Sequence, residues 1–187
     1  MNKRFIVLAA LVACVFSSNA KVKLPNLVSD GMVIQHSSDV RLWGWDKPGK
    51  KVTVTTSWSA DKTVVTTGKY GRWIATVKSP AASFDPLSIS FDDGELTTIS
   101  NVLAGEVWVC AGQSNMEMPV KGFGNCPVEG YNDVVIDAAN HNGVHYVKIP
   151  SVMSMTPLED AQCQWKSIDM GTVSDASATG YFFGRLL

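Results

Sequence analysis

Between residues 21 and 102, short runs alternate apolar and polar residues, and this pattern limits what the chain can fold into more than any other feature. The alternation is clearest over 40–45 and 51–55, and similar runs occupy 63–67, 73–77, 87–91 and 96–100. A period of two turns one face of a strand to a core and the other face to solvent. Turn-forming residues, such as those at 46–49 and 92–94, separate the runs. This segment therefore predicts an antiparallel β-sandwich.

The composition excludes several classes of protein. Of 187 residues, 45% are hydrophobic and 18% are charged, and the formal net charge is −1. Disordered chains combine low hydrophobicity with high net charge, so this chain is expected to fold. Because Lys+Arg (16) and Asp+Glu (17) nearly balance, no nucleic-acid partner is expected.

The first twenty residues have the layout of a secretory signal peptide. Two basic residues precede an apolar run over 5–16, and small residues then lead to a cut after Ala20. The run has 12 residues, whereas a membrane span needs about 20, so no membrane span is expected. The protein is therefore expected to be exported, to the periplasm or the extracellular space. As an alternative, residues 11–14 resemble a lipobox, in which Cys14 would carry a lipid anchor.

After residue 102 the pattern becomes that of an α/β layered domain. The apolar run at 106–111 lacks alternation, as in a strand buried on both faces. Further elements are predicted as a helix at 133–139, a strand at 144–149, and a helix at 175–187 capped by Ser174 or Asp175. The predicted divisions are thus a leader at 1–20, a sandwich at 21–102 and the start of an α/β domain at 103–187.

Removal of the leader leaves three cysteines. Cys110 lies in the apolar run and is predicted to be a buried free thiol. Cys126 and Cys163 lie in loop-like segments and could pair in an oxidising compartment. No CxxC or Cys/His spacing points to a metal site.

Ser114 is the one residue in a position that suggests chemistry. It follows the predicted buried strand, at the edge of an α/β sheet where catalytic groups collect. Gly112 permits a tight backbone there, and the backbone N–H of Ser114 could donate to an oxyanion. The G-x-S-x-G elbow is not met, because residue 116 is Met. Without further information, the residues favour a serine that satisfies backbone groups in a turn.

A family resemblance favours a catalytic role for Ser114 over a structural one. Residues 105–116, GEVWVCAGQSNM, resemble the nucleophile block of the sialate O-acetylesterases, which are SGNH (GDSL-like) hydrolases. Residues 24–35, 40–45 and 180–184 also resemble this family. The resemblance implies a flavodoxin-like α/β domain and cleavage of O-acetyl groups from sialic acids or related acetylated glycans. Ser114 would be the nucleophile that carries the acetyl group, and no metal or organic cofactor is implied.

The family takes its catalytic histidine from a DxxH motif in a later block, together with a Gly and an Asn of the oxyanion hole. This sequence contains no DxxH; the nearest spacing, Asp137 to His141, is one residue too long. The chain is therefore expected to be the N-terminal portion of such an enzyme and to be inactive alone. By proximity to Ser114, Gln113 and Asn115 are expected at the mouth of the substrate site, with capping or packing as the alternative.

A second hypothesis is a non-catalytic, exported β-sandwich that binds glycans, followed by a hydrolase remnant. Tryptophans stack on sugars, and Trp43, Trp45, Trp58 and Trp73 all lie in the sandwich segment. However, Trp43 and Trp45 share one strand face, which favours core or inter-domain packing. The sequence leaves open which acetylated sugar is bound, and an acetylated plant polysaccharide is a further candidate.

Overall fold

The computed structural model describes residues 21–187, so the predicted leader and Cys14 lie outside the described residues. These residues form a β-sheet-rich structure with few, short helices. The strands are β1 Val33–Gln35, β2 Asp39–Trp45, β3 Lys51–Thr56, β4 Ser59–Thr66, β5 Arg72–Lys78, β6 Ser83–Asp92, β7 Leu96–Gly105, β8 His145–Val147 and β9 Trp165–Ser167. The α-helices are α1 Ser114–Glu117, α2 Tyr131–Asp137 and α3 Ala178–Gly184. None of the helices in this part of the chain is both long and apolar enough to cross a membrane.

Every alternating run in the first segment forms a strand, β2 to β7. One sheet has the order β1-β7-β6-β3-β4, and β2 pairs with β5 in a second sheet. All of these pairings are antiparallel except that of β1 with β7, where Val33 lies opposite Leu103 in a parallel register. The expectation of a wholly antiparallel sandwich is therefore wrong at one edge. The reason is that β1 is followed by β2 of the other sheet, so no hairpin joins β1 to its neighbour β7 and the long connection between them permits a parallel pair.

The two sheets share one hydrophobic core. Trp73 on β5 is 2% exposed and packs against Phe91 on β6, with ring centroids 5.6 Å apart. Gly44 lies directly opposite Trp73 on β2. A Cβ at Gly44 would lie 2.7 Å from the indole ring and even closer to the carbonyl oxygen of Lys23, so only glycine fits there. The central tryptophan is thus enclosed from both sides.

The tryptophans of the first segment pack within the protein. Trp73 is buried, and Trp43 packs against the core. The indole N–H of Trp45 donates to Glu159 at 3.2 Å, and the ammonium of Lys23 lies 5.4 Å from the centre of the Trp45 ring. These contacts favour the packing interpretation of Trp43 and Trp45 over sugar stacking.

The predicted strand at 106–111 is not formed. β7 ends at Gly105, and the next residues form no regular secondary structure and are exposed; Val109 is 92% exposed. A strand buried on both faces needs hydrogen-bonded neighbours and covering layers. Within the described residues no strand pairs with this segment. The Trp108 ring lies edge-on to that of Phe183 of α3, with the ring centroids 5.1 Å apart. Cys110 is consequently exposed, and the prediction of a buried thiol is wrong.

The remaining elements agree only in part with expectation. The helix predicted at 133–139 corresponds to α2 and a following 3₁₀ turn at Ala138–Asn140. The strand predicted at 144–149 is the shorter β8, which pairs antiparallel with β9, so no parallel sheet forms in the described residues. The cap of α3 is Ser177, whose hydroxyl accepts from the Gly180 N–H at 3.3 Å. Ser174 and Asp175 do not cap it, because they lie in a separate 3₁₀ turn.

The suggested pairing of Cys126 with Cys163 is also wrong, since both are free thiols. Cys126 is held in a tight turn by two backbone hydrogen bonds with Phe123, at 2.9 and 3.0 Å. Cys163 instead lines a cavity beside β8 and β9. The two thiols therefore belong to separate parts of the surface.

The described chain has a first half, residues 21–105, and a second half, residues 106–187. The two halves contact each other through the loop before β1. Asn26 donates to Asp160 through its backbone N–H at 2.9 Å and through its side-chain amide at 3.1 Å. The Trp165 indole donates to the Leu27 carbonyl at 2.8 Å. The His145 ring lies 2.6 Å from the Gly31 carbonyl, which gives this histidine a structural role.

Asp46 and Asp93 are neighbours in two turns, one after β2 and one after β6. Each has a buried carboxylate oxygen without a hydrogen-bond partner in the described residues. Burial raises the pKa of Asp46; the Lys47 N–H opposes the shift, and the charge of Asp93 adds to it. Because this folded-state pKa is raised, Asp46 contributes most stability below the unfolded value of about 3.9 and loses it as pH rises through the folded value.

Asp46→Asn is therefore expected to stabilise the protein at neutral pH, with no gain near pH 3. The amide would donate to Asp93 and keep the oxygen that accepts from the Lys47 N–H at 2.6 Å. One added hydrogen bond contributes about 1 kcal/mol, or roughly 2–4 °C in Tm. Thermal unfolding at both pH values tests this. Asp61→Asn on exposed β4 removes the same charge, and an equal gain there would assign the effect to net charge.

Candidate active site

Ser114 is the first residue of α1, a single helical turn that follows the exposed segment 106–113. The turn begins because the Gln113 carbonyl accepts from the backbone N–H groups of Met116 and Glu117, both at 3.0 Å. The Met118 N–H then donates to the Ser114 carbonyl at 3.1 Å. The first N–H groups of a helix have no partner inside it, and the Ser114 N–H donates no hydrogen bond within residues 21–187. The Ser114 side chain is exposed.

An open depression of about 490 Å³ surrounds Ser114, within the size range of small-ligand sites. It is lined by Ala111, Gly112, Gln113, Ser114, Asn115, Met116 and Thr179. The two neighbours singled out in the sequence, Gln113 and Asn115, thus share one surface with Ser114. Their side-chain amides form no hydrogen bond among residues 21–187, which leaves both amides available to a ligand.

Gly112 lets the chain fold closely over α1. A Cβ at this position would lie 2.8 Å from Cγ and 3.4 Å from Cβ of Met116. Any larger residue would push Met116, and with it the turn that holds Ser114.

Helix α3 and the residues before it support the helix that holds Ser114. Met118 accepts from the Ala178 N–H at 2.8 Å, and the Val120 N–H donates to Ala176 at 2.9 Å. The hydroxyl of Thr179 donates to the Asn115 carbonyl at 3.1 Å. Sequence reasoning missed Thr179, since 64 positions separate it from Asn115 and no motif marks it.

No histidine of the described residues is hydrogen-bonded to Ser114. His141 Nε2 lies 3.0 Å from Oδ2 of Asp137, and this bond lowers the pKa of that carboxyl. His145 contacts the Gly31 carbonyl instead, as described above. His36 Nε2 lies 3.0 Å from Oε1 of Glu106. The Ser114 hydroxyl therefore has no general base beside it in this part of the chain.

The base of the segment that leads to Ser114 is fixed to β1 by a contact that the sequence analysis missed. His36 pairs with Glu106 and lowers the pKa of that carboxyl. Gln35 donates to the other Glu106 oxygen at 3.2 Å and accepts from the Val107 N–H at 3.0 Å. His36 and Glu106 are 70 positions apart, so local sequence patterns do not reveal this cluster.

Within residues 21–187, no group of three His, Cys, Asp or Glu side chains converges in a way that could hold a metal ion.

Comparison with known proteins identifies relatives over nearly the whole chain, although no family model matches it. It is 26% identical over 199 residues to a sialate O-acetylesterase from Mus musculus, covering 97% of this chain and 36% of the mouse protein. It is 26% identical over 188 residues to the Homo sapiens sialate O-acetylesterase, covering 91% of this chain and 35% of that protein.

The structure is also similar to the crystal structure of a novel carbohydrate acetylesterase from Xanthomonas citri, with a TM-score of 0.78 and 28% identity. That match covers 89% of this chain and 37% of the bacterial protein. The chain thus spans about a third of the length of these relatives. The relatives, the shared fold and the GQSNM block together show that the chain is similar to the sialate O-acetylesterases and to a carbohydrate acetylesterase.

Proposed function

We propose that this protein acts in the hydrolysis of O-acetyl esters on sialic acids or related acetylated glycans, with Ser114 as the nucleophile of an SGNH-type site. The observation that carries the proposal is the position of Ser114. It is exposed at the start of α1, in an open depression, within the block that resembles the family's nucleophile block. The acetylesterase names of the relatives support ester hydrolysis as the reaction class.

The proposed reaction has two steps. Oγ of Ser114 attacks the acetyl carbonyl, a base takes the hydroxyl proton, and the sugar oxygen leaves with a proton as a free hydroxyl group. Water then hydrolyses the acetyl-serine and releases acetate. The Ser114 N–H, which has no partner in the described residues, stabilises the oxyanion, and the free amides of Gln113 and Asn115 hold the sugar beside it.

Residues 21–187 alone are proposed to be inactive. A serine hydroxyl is a weak nucleophile unless a base accepts its proton, and each of the three histidines bonds to a group other than Ser114. Catalysis then needs a base that this part of the chain does not place beside Ser114.

The test compares two samples: the protein purified from cells that express its own gene, and residues 21–187 alone. Intact mass, measured first, defines the residues in the natural product and shows whether Lys21 is its first residue, as export with a cut after Ala20 requires. A lipidated Cys14 would support the lipobox instead.

Acetate release is then measured on O-acetylated sialic acid and on an acetylated plant polysaccharide. We expect release from the sialic acid by the natural product, and none above buffer by residues 21–187. Release from the polysaccharide alone would overturn the sialate assignment, and release from neither substrate would overturn the esterase proposal.

A further inference from the structure

A cavity of about 390 Å³ lies over one face of the β8–β9 ribbon, apart from the depression at Ser114. Tyr146 is paired with Lys166 in the antiparallel ladder. Because side chains alternate along a strand, Lys148 and Gln164 extend the same face by one step. All four side chains line the cavity, which is completed by Gln162, Cys163 and Asp175.

Positive charge exceeds negative charge at this face. Asp175 is already paired with Lys121, whose ammonium lies 2.7 Å from Oδ1, and this pair lowers the pKa of the Asp175 carboxyl. Lys148 makes a longer contact, 3.4 Å, with Glu117. Lys166 has no hydrogen bond among the described residues, although it lies close enough to Asp175 to lower the pKa of that carboxyl further. The cavity lining thus has two lysines and one carboxylate, and the charges of Asp169 and Asp160 act from outside it on Tyr146 and Cys163. Lys166 is the lysine of the lining that has no hydrogen-bonded partner in the described residues.

The uncharged residues of the cavity also suit an anion. The side-chain amides of Gln162 and Gln164 form no hydrogen bond among residues 21–187 and can donate to a ligand. Burial, together with the negative charge of Asp160, raises the pKa of the Cys163 thiol, which therefore stays neutral. The Tyr146 hydroxyl is already committed, since it donates to the Thr172 carbonyl at 2.9 Å.

We propose that this cavity binds the carboxylate of an acidic sugar, with Lys166 and Lys148 as its counter-ions and Gln164 as a hydrogen-bond donor. The inference rests on the proposed function, because it gives that substrate a second point of attachment. The volume suits a single sugar unit, and ammonium groups bind carboxylates by charge-assisted hydrogen bonds.

The cavity is joined to the helix that carries Ser114. Lys148 contacts Glu117, the last residue of α1, three positions after Ser114. With a helical rise of about 1.5 Å per residue, these two backbone positions are roughly 5 Å apart. The cavity and the depression at Ser114 are therefore connected through one turn of helix.

The test is a binding titration of the full chain with N-acetylneuraminic acid and with its methyl ester, which keeps the sugar but removes the charge. We expect the acid to bind roughly tenfold more tightly than the ester, and Lys166→Gln to weaken binding of the acid by a similar factor. Lys62→Gln on exposed β4 is the matched control and should leave binding unchanged. If glucuronate binds as tightly as N-acetylneuraminic acid, the result would support a site for sugar carboxylates in general.

Equal binding of acid and ester, or equal weakening by both lysine substitutions, would overturn the inference. Unfolding temperatures of both variants are measured alongside, so that a folding defect is not taken for lost binding. Ser114→Ala should retain carboxylate binding. If the natural product binds the carboxylate selectively but releases no acetate, the carboxylate site is supported and the esterase proposal is rejected. If it releases acetate without carboxylate selectivity, the esterase proposal is supported and the carboxylate site is rejected.

Discussion

Replacing Ser114 by alanine is expected to lower acetate release by the natural gene product roughly 10³-fold or more. The change removes the atom that would form the bond to the acetyl group, while the exposed position of Ser114 means that little packing is lost. Loss of the nucleophile should act on kcat, whereas KM should change little, since Gln113 and Asn115 remain to hold the sugar. Initial rates over a range of substrate concentrations separate the two parameters.

Ser151→Ala is the matched control for this experiment. Ser151 is also exposed, and it has no hydrogen bond among the described residues, so its removal should leave both kinetic parameters and Tm unchanged. If Ser114→Ala and Ser151→Ala release acetate equally fast, Ser114 is not the nucleophile. An unchanged Tm in Ser114→Ala ensures that lost activity reflects lost chemistry.

Trp73→Ala is expected to destabilise the chain by about 3 kcal/mol, the lower end of the range for buried aromatic residues. The side chain is 2% exposed, packs on Phe91 of the opposite sheet and lies over Gly44, so its loss leaves a cavity between the sheets. The value falls at the lower end because the indole N–H is buried without a partner, and its removal recovers part of that cost. Thermal or denaturant unfolding of residues 21–187 measures the difference.

The neighbouring residue on the same strand supplies the control. Ile74 is 52% exposed on the opposite face of β5, and Ile74→Ala should cost less than about 1 kcal/mol. Equal losses for the two substitutions would mean that β5 does not lie between a core and solvent, and the two-sheet arrangement would be wrong.

The sequence alone predicts those strands that are determined by residues close together in the chain. The alternating runs of the first half form β2 to β7, because a period of two fixes which face is buried whatever the neighbours are. Residues 106–111 show the opposite case. Their apolar character permits a buried strand, but a strand also needs partners, and within the described residues none is present. The parallel pairing of β1 with β7 likewise depends on residues about 70 positions apart.

The candidate site divides in the same way. The GQSNM block located Ser114, Gln113 and Asn115, and the structure places all three around one depression. Thr179 of α3 lines the same depression, and no sequence motif identifies it as a site residue. It is brought there by long-range packing, which a single sequence does not encode in any readable pattern.

The contacts between the loop before β1 and the second half have a consequence for how the chain unfolds. Asn26, Leu27 and Gly31 contribute to the first half, yet their hydrogen-bond partners are Asp160, Trp165 and His145. The second half has a hydrophobic core of its own, which includes Val120, Ile168 and Tyr181. Unfolding either hydrophobic core would leave polar groups of the other half without partners, which is costly for groups that are partly buried. The two cores are therefore expected to melt cooperatively, in one calorimetric transition instead of two.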